Sequence, residues 1–338
     1  MMQSTEMPWY LESAGQNTWT LSAIQTAQIE PGPYRVVVAV IDSGILPNHP
    51  SLAEKVLPGY DMLLETRNLR GSRSADTRPD SRNAKCGNSW FTSSQRTHGT
   101  EVASIIAGNG SVVGVNPEAR VLPVRTMGAC GFNRSDLLDA IAWAAGLPVN
   151  GVPLNPHPAR IINLSLTGGG ATCDSKLQNL INEVTKRKVF VVAAAGNNFH
   201  KSLQEPANCE GVISVGALDG GNSIANYSAL DSRTTIYAPG GTEGRNGNLP
   251  AQKLRVATFD MDIWGNEIAK SSEKGVGTSF AAALVSGFLS LWLSHQPETI
   301  PEDFFAKLPK FVRDVNHIKE CPQCLPKGLA ANSHFFTK

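Results

Sequence analysis

Short apolar runs rich in β-branched residues recur along the chain, and each predicts a buried strand. The first reads RVVVAVI at residues 35–41, and similar runs follow at 120–125, 160–164, 189–194 and 211–215. Their hydrophobicity is continuous rather than alternating, which is typical of strands covered on both faces of a parallel sheet. The runs therefore predict the inner strands of such a sheet.

Helical periodicity fills several intervals between these runs. Residues 135–146 and 174–187 place apolar side chains three and four positions apart, as the buried face of a helix requires. Residues 279–294 are apolar on nearly every side, which is typical of a helix in the middle of a domain. Strands that alternate with helices predict an α/β fold with a doubly wound, mostly parallel sheet and helices on both faces.

We expect a single domain over residues 1–338. It divides into a lead-in at 1–33, a core at 34–295 and a C-terminal extension at 296–338. Two polar stretches predict surface loops, the second with a short hairpin: residues 65–97 and 240–275.

Bulk composition narrows the classes of partner. The chain carries 30 basic and 29 acidic side chains, a net charge of +1, and 41% of its residues are hydrophobic. This balance predicts neither a nucleic-acid partner nor a membrane-surface partner, and we expect a monomer. No apolar run reaches about 18 residues, so we expect no transmembrane helix. The first residues lack the basic start and apolar core of a signal peptide.

Six cysteines point to an oxidising compartment. Their even number and the absence of metal-type clustering favour disulfides, and hence a secreted or periplasmic protein. Cys321 and Cys324 form a C-x-x-C pair, a spacing found in redox sites and in half of a zinc site. No second pair completes a zinc set, so we expect a local structural disulfide there and no metal site.

Three segments far apart in the chain carry an Asp, a His and a Ser in glycine-marked surroundings. They read VIDSG around Asp42, THGTEVAS around His98 and GVGTSFAA around Ser279. Taken singly, these residues fit a turn aspartate, a packed histidine and an N-cap serine equally well. Together, in an order known for Ser-His-Asp hydrolases, they predict one catalytic site.

The surroundings of each residue suggest its role. Asp42 ends a buried strand, where ligand sites gather in open α/β sheets, and can orient a histidine. We expect His98 in the first turn of an amphipathic helix as the general base, and Ser279 at a helix start as the nucleophile. Asn197 ends the run AAAGN, where its amide could stabilise an oxyanion together with the N–H of Ser279. The alternative for Asn197 is a turn-forming Gly-Asn-Asn.

With these motifs the chain resembles the subtilisin-like serine proteases, or subtilases, and most of all the secreted bacterial members with disulfides. The resemblance extends over roughly residues 34–294. It rests on the three segments above and on further blocks: ARIINLSL at 159–166, VVAAAGN at 191–197, PANCEGVISVGA at 206–217 and YAPGG at 237–241. It implies a three-layer α/β architecture and a serine endopeptidase that needs no cofactor for catalysis.

The resemblance also implies a groove that binds the main chain of a polypeptide substrate. The matching positions are Leu164, Ser165, Leu166, Thr167, Gly168, Ala193, Ala194 and Gly196. Thr167 stands where the family usually has Gly, so its side chain is expected to narrow the choice of substrate. Glu205 lies near the family's pocket floor, and an inward-pointing Glu205 would favour a basic substrate side chain.

The same resemblance implies two disulfides and raises the question of whether the chain binds a structural calcium ion. It pairs Cys86 with Cys130 and Cys173 with Cys209. Calcium commonly stabilises the family, but residues 68–80 hold three Arg against two Asp. A hard cation needs a net negative ligand set, so structural calcium is conceivable here but has no clear site.

The chain departs from the family pattern outside the catalytic residues. Glu101 and Ser104 replace a usual His and Gly, while Ala283 and Leu284 replace a Pro-His pair. Glu101 lies close enough to the base to affect its titration. These departures keep one alternative open, a catalytically weak binding module with a subtilase fold. A further alternative is a serine hydrolase acting on esters or favouring amines over water, because a sequence does not show how an acyl-enzyme divides between acceptors.

Overall fold

The predicted apolar runs form the inner strands of one large sheet. The computed structural model describes residues 26, 29–64, 74, 76–80, 85–86, 89–90, 93–199, 202–243, 253–262, 266–310, 312–314 and 327–329. In chain order its strands are β1 Val37–Asp42, β2 Tyr60–Asp61, β3 Lys85–Cys86, β4 Ser89–Trp90, β5 Arg120–Arg125, β6 Ile161–Leu164, β7 Phe190–Ala194, β8 Val212–Leu218, β9 Ile236–Pro239, β10 Leu254–Met261, β11 Glu267–Gly275, β12 Val312–Asp314 and β13 Lys327–Leu329.

Nine of these strands make the main sheet, in the order β12-β13-β9-β8-β7-β6-β1-β5-β2. Two antiparallel pairs lie outside it. The first joins β3 to β4 and the second joins β10 to β11. The β10–β11 hairpin is longer than the short hairpin expected from the sequence, since eight positions of β10 are paired with β11.

Helices cover both faces of the main sheet. In chain order they are α1 Ser93–Ala107, α2 Arg134–Ala144, α3 Ser175–Lys186, α4 Thr278–His295 and α5 Pro301–Lys307, followed by a 3₁₀ turn at Leu308–Lys310. Alternate residues of β1 face opposite sides: Val38 and Val40 join the core with α1 and α4, whereas Ala39 and Ile41 join the core with α2 and α3. The doubly wound, three-layer α/β fold is thus confirmed.

Strand β1 is an inner strand of the sheet, third from the edge formed by β2, and fixes where a site can form. It pairs in parallel with β5, with Asp42 opposite Arg125, and with β6, with Val40 opposite Asn163. Because parallel strands end at the same edge, the carboxyl ends of β1, β5, β6 and β7 lie together. Residues that follow these strands are therefore brought to one edge.

The predicted loop at 65–97 needs correction at its end. Helix α1 begins at Ser93, so His98 is its sixth residue and lies in the second turn rather than the first. Residues 85–86 and 89–90 also form short strands. The opening turn of α1, SSQRT, is polar and carries no apolar periodicity, so its hydrophobic pattern could not reveal it.

The last described strands belong to the main sheet. Gly328 of β13 lies opposite Tyr237 of β9, so part of the predicted C-terminal extension adds to the sheet edge. Helix α4 packs against the inner strands of the sheet. Among the helices described, it is the one that matches a membrane span in length and composition, and 89% of that stretch is buried in the fold.

Candidate active site

Asp42 and His98 form a hydrogen-bonded pair at the edge where the parallel strands end. Asp42 is the last residue of β1 and is completely buried. Its two carboxylate oxygens each lie 2.9 Å from Nδ1 of His98. Oδ1 also accepts from the N–H of Ser43 over 2.7 Å. These donors hold the carboxylate in one orientation towards the imidazole.

The pair determines which nitrogen of His98 is available for chemistry. An ionised carboxylate only accepts hydrogen bonds, so Nδ1 carries the proton and Nε2 keeps its lone pair. The side chain of His98 is 20% exposed, and its ring centroid lies 5.8 Å from that of Phe280. Phe280 directly follows Ser279, so the imidazole lies beside the start of α4.

A close crossing of α1 over the end of β1 brings the two residues together. A Cβ at Gly99 would collide with the carbonyl oxygen of Gly44 and lie 3.2 Å from Cβ of Asp42. The hydroxyl of Ser43 donates to the carbonyl of Arg96 and accepts from the N–H of Gly99. The glycine after His98 therefore permits a contact that a larger residue would block.

Ser279 is the second residue of α4 and is 9% exposed. The N-cap of this helix is Gly277, with φ of 147° and no side-chain cap bond, so Ser279 does not have the alternative capping role. Its hydroxyl donates to the carbonyl of Ser165 over 3.1 Å. In return, the hydroxyl of Ser165 donates to the carbonyl of Ser279 over 2.8 Å.

Asn197 is exposed and held by its oxygen. Oδ1 accepts from both the N–H and the hydroxyl of Thr278, each over 2.9 Å. The Thr278 hydroxyl also accepts from the N–H of Gly196 over 3.1 Å, and Gly196 has φ of 108°. Gly196 thus adopts the turn conformation while Thr278 holds the oxygen of Asn197. The NH₂ group of Asn197 is the end left for a ligand.

The backbone N–H of Ser279 is a second donor at this place. The first N–H groups of a helix have no partner within it, and no hydrogen bond of this N–H occurs among the described residues. It therefore offers a donor at the positive end of the α4 dipole, on the same residue as the hydroxyl. Together with the amide of Asn197 it can stabilise a negative oxygen.

The predicted substrate-binding positions follow two neighbouring strands. Leu164 ends β6 and is opposite Ala193 of β7. From there the backbone continues through Ser165, Leu166, Thr167 and Gly168 on one side, and through Ala194 and Gly196 on the other. The side chain of Thr167 lies across from Gly196, where an added Cβ would be 3.7 Å from its methyl group.

Glu205 does not form the free acidic floor that the sequence suggested. Its carboxylate pairs with Arg134 over 2.6 Å and accepts from the N–H of Asp174 over 2.6 Å. Only 5% of its side chain is exposed. The charge is therefore already compensated. The pair borders a cavity of about 360 Å³ whose other walls include Phe132, Leu137, Leu177 and Gly169.

Glu101 is buried on α1 and directs its carboxylate towards the hairpin. It accepts hydrogen bonds from the hydroxyls of Thr97 and, over 3.1 Å, of Thr258 on β10. The neighbouring Ser104 donates to the carbonyl of Glu101 and accepts from the N–H of Ala257. Both departures from the family pattern thus connect the helix of His98 to β10.

The cysteines are only partly within the described residues. Cys173 and Cys209 form a disulfide across 36 positions, the pairing that the resemblance implies. Cys130 is also disulfide-bonded. The side chain of Cys86, and both Cys321 and Cys324, lie outside the described residues, so their pairings stay predictions.

The described carboxylates between the Asp and His segments are engaged by arginines. Asp76 binds Arg78 with both oxygens, and Asp80 binds the buried Arg125, which also pairs with Asp61 over 2.6 Å. Asp76 is therefore paired with one arginine, while Asp61 and Asp80 share another. Over the part of the chain described, no three His, Cys, Asp or Glu side chains cluster as metal ligands.

Sequence reasoning did not identify three residues around the nucleophile. Thr278 holds the oxyanion candidate, while Asn163 bonds to both Ser286 and Ser165. For Asn163 and Ser286 one signal was available: each is a polar residue with mainly apolar neighbours, in the strand IINL or in the helix α4. The partners of such residues depend on the packing of distant elements.

Comparisons with known proteins identify related sequences and structures. The sequence profile of the subtilase family matches residues 34–315. An extracellular protease of Xanthomonas campestris pv. campestris is 41% identical over 216 residues, which is 60% of this chain and 37% of that protein. An extracellular basic protease of Dichelobacter nodosus is 35% identical over 280 residues, 77% of this chain and 43% of that protein. The chain thus spans about two fifths of the length of these relatives.

Solved structures show the same architecture. One of the proteases from Pseudoalteromonas arctica PAMC 21717 superposes with a TM-score of 0.80 at 32% identity, covering 97% of this chain and 96% of the other. A cold adapted subtilisin-like serine proteinase superposes with a TM-score of 0.67 at 21% identity, covering 92% and 97%. At that lower identity the second likeness concerns the fold alone.

Proposed function

The chain belongs to the subtilase family, and we propose that it is a serine endopeptidase with Ser279 as nucleophile, His98 as general base and acid, and Asp42 as the residue that orients His98. One observation carries this proposal. The Asp42–His98 pair lies at the strand edge, and its imidazole packs on Phe280 beside Ser279. A histidine that is hydrogen-bonded to a carboxylate and lies beside a serine at a helix start is the arrangement that activates the serine hydroxyl.

Acylation begins when the hydroxyl of Ser279 turns its proton from the carbonyl of Ser165 towards Nε2 of His98. Oγ then bonds to the carbonyl carbon of a substrate peptide, and Nε2 takes the proton. The imidazolium keeps its Nδ1–H on the Asp42 carboxylate, which stabilises the positive charge. The electron pair of the carbonyl moves onto its oxygen.

The donors around that oxygen are the N–H of Ser279 and the side-chain amide of Asn197. Because Thr278 holds the other end of the Asn197 amide, these donors need little reorganisation when the charge develops. The tetrahedral intermediate then expels the amine, which receives the proton from His98. Water then takes the place of the amine: His98 takes a proton from it, and its oxygen bonds to the acyl carbon. The bond from that carbon to Oγ of Ser279 breaks, His98 returns the proton to Oγ, and the carboxylic acid product leaves.

The proposed substrate is a polypeptide bound as an extended strand along Leu164–Gly168 and Ala193–Gly196. The continuations of two adjacent parallel strands favour main-chain hydrogen bonding to such a substrate. No cofactor enters these steps. The disulfide Cys173–Cys209 and the naming of both relatives as extracellular favour secretion, and we propose that the enzyme acts outside the cytoplasm as a monomer.

Labelling with a fluorophosphonate probe tests the proposal, with casein digestion measured in parallel. We expect the purified protein to be labelled and to cut casein, and Ser279→Ala to do neither. Labelling without cleavage of casein would support the alternative of an ester-cutting or narrow hydrolase. A folded, oxidised sample that is not labelled would instead support the catalytically weak binding module.

A further inference from the structure

A chain of buried hydrogen bonds links the middle of α4 to the backbone of Ser279. The hydroxyl of Ser286 donates to Oδ1 of Asn163, and Nδ2 of Asn163 donates to Oγ of Ser165, both over 2.9 Å. Oγ of Ser165 then donates to the carbonyl oxygen of Ser279 over 2.8 Å. All four residues are buried, and Asn163 and Ser286 are completely inaccessible.

The chemistry of these groups allows one direction along the chain. The carbonyl of Ser279 can only accept, so the single hydroxyl proton of Ser165 is used there. Ser165 must then accept from the NH₂ end of Asn163. The oxygen of Asn163 consequently faces Ser286, whose hydroxyl must donate. The orientation of the Asn163 amide is therefore set by the nucleophile's own carbonyl at the other end.

Other serines of the same helix behave differently. The hydroxyls of Ser290 and Ser294 donate to carbonyls three residues earlier in α4, those of Gly287 and Leu291. These donated bonds stay within α4, although the hydroxyl of Ser294 also accepts from the N–H of Gly32 over 2.8 Å. Ser286 instead reaches across to β6, where Asn163 is the polar member of the strand IINL. Buried polar groups are costly unless they are paired, so this pairing holds α4 and β6 in one alignment.

The alignment acts on the atoms that the proposed reaction uses. The bond from Ser165 to the carbonyl of Ser279 involves no reacting atom, so it can persist through the reaction. The reverse bond, from the hydroxyl of Ser279 to the carbonyl of Ser165, must break before attack. While the first bond persists, Cα of Ser279 stays in place, and the directions of its hydroxyl and N–H stay with it.

We propose that Asn163 and Ser286 are positioning residues for the nucleophile, acting through the hydroxyl of Ser165. The inference rests on the proposed function, because positioning has meaning only if Ser279 reacts. Asn163 and Ser286 do not touch the substrate or the reacting atoms in this arrangement. Their effect should therefore fall on the rate of acylation and leave substrate binding unchanged.

The test compares hydroxyl deletions on one helix. Ser286→Ala and Ser290→Ala each remove one buried hydroxyl from α4, one turn apart, but the first breaks the chain to Ser279. Ser165→Ala removes the final donor and keeps the backbone of the groove. Asn163→Leu removes both bonds at the centre. For each variant we would measure kcat and KM on a peptide substrate, the rate of fluorophosphonate labelling, and the thermal midpoint.

We expect kcat and the labelling rate to fall about tenfold or more in Ser165→Ala, because small displacements of a reacting group are costly. The kcat and labelling rate of Ser286→Ala and Asn163→Leu should also fall. KM should stay unchanged within about twofold in each variant. Ser290→Ala should retain the full labelling rate. If Asn163→Leu does not fold, Ser165→Ala and Ser286→Ala decide the question, because each removes only one hydroxyl.

Equal labelling rates in Ser286→Ala and Ser290→Ala, together with an unchanged rate in Ser165→Ala, would overturn the inference. So would a loss that appears only in KM, since that would assign Ser165 to substrate binding alone. Failure of the proposed function looks different. The unsubstituted protein would then not be labelled at all, and the positioning role would fall with the activity.

Discussion

Thr278 donates two hydrogen bonds to Oδ1 of Asn197, one from its N–H and one from its hydroxyl, both 2.9 Å long. An amide held by its oxygen presents its NH₂ group at the opposite end. The residue before the nucleophile thus orients the side chain that is proposed to receive the oxyanion. The first residue of α4 therefore links the proposed nucleophile to the proposed oxyanion donor.

Replacing Asn197 by Leu should lower kcat strongly and leave KM nearly unchanged, because the amide is proposed to bind the charged oxygen and not the ground-state substrate. The expected loss is roughly 10²–10³, the size already known for one such donor in subtilisin, a member of this family. Steady-state kinetics on a peptide substrate measure it. A loss confined to KM would contradict an oxyanion role.

Thr278→Val should produce a smaller loss of the same kind. Valine keeps the shape and the N–H bond to Asn197 but removes the hydroxyl, and one neutral hydrogen bond corresponds to about fivefold in rate. Thr278→Ser keeps the hydroxyl and is the matched control. We expect kcat of the serine variant to stay close to that of the unsubstituted enzyme. Equal kcat values for the two variants would show that the hydroxyl has no part in orienting Asn197.

Thr167→Gly should widen the range of side chains accepted at the cleaved bond. The Thr167 side chain lies opposite Gly196, between the two segments proposed to hold the substrate. Its removal should raise kcat/KM roughly tenfold for a substrate with Phe before the cleaved bond. The same peptide with Ala at that position serves as the control and should change little. A parallel change for both peptides would argue against a steric role of Thr167.

Stability should depend on pH through Asp61. Burial raises the pKa of Asp61 from 3.8 to about 6, although the nearby Arg125 opposes the shift. Between these pH values the folded protein holds a proton that the unfolded chain has released. The free energy of unfolding therefore falls as pH rises through this window, by up to about 3 kcal/mol. Asp61→Asn should lose this part of the slope.

Urea unfolding between about pH 4 and pH 7 measures the slope for both proteins. Asp76→Asn is the matched control, because that carboxylate is 48% exposed and paired with Arg78 at the surface. Its slope should follow that of the unsubstituted protein. Identical slopes in all three proteins would show that Asp61 releases its proton at an ordinary pH.

The double variant Cys173→Ser and Cys209→Ser should be less stable by about 3–4 kcal/mol, because the disulfide closes a loop across 36 positions and restricts the unfolded chain. Denaturant unfolding measures the difference. The catalytic pair lies on other elements, so kcat of the folded variant should be nearly unchanged at low temperature. An unchanged unfolding midpoint would mean that the bond adds nothing to stability.

Local patterns were enough to predict the parallel sheet and the candidate catalytic residues. Continuous apolar runs such as residues 35–41 indicate a strand buried on both faces wherever they occur. The residues around Asp42, His98 and Ser279 carry their signal within a few positions each. The polar residues in the first turn of α1 carry no periodic signal and do not predict a helix, and the block YAPGG that contains Tyr237 does not by its pattern predict β9.

The sequence by itself determined the fold class, the three catalytic candidates and the oxyanion candidate, because strand patterning and glycine-flanked motifs are local properties of the chain. Tertiary structure alone decided the partners of the buried polar groups. Glu205 meets Arg134 across 71 positions, and Ser286 meets Asn163 across 123. A buried charge or hydroxyl must find a partner, but which partner it finds depends on how distant elements pack against each other.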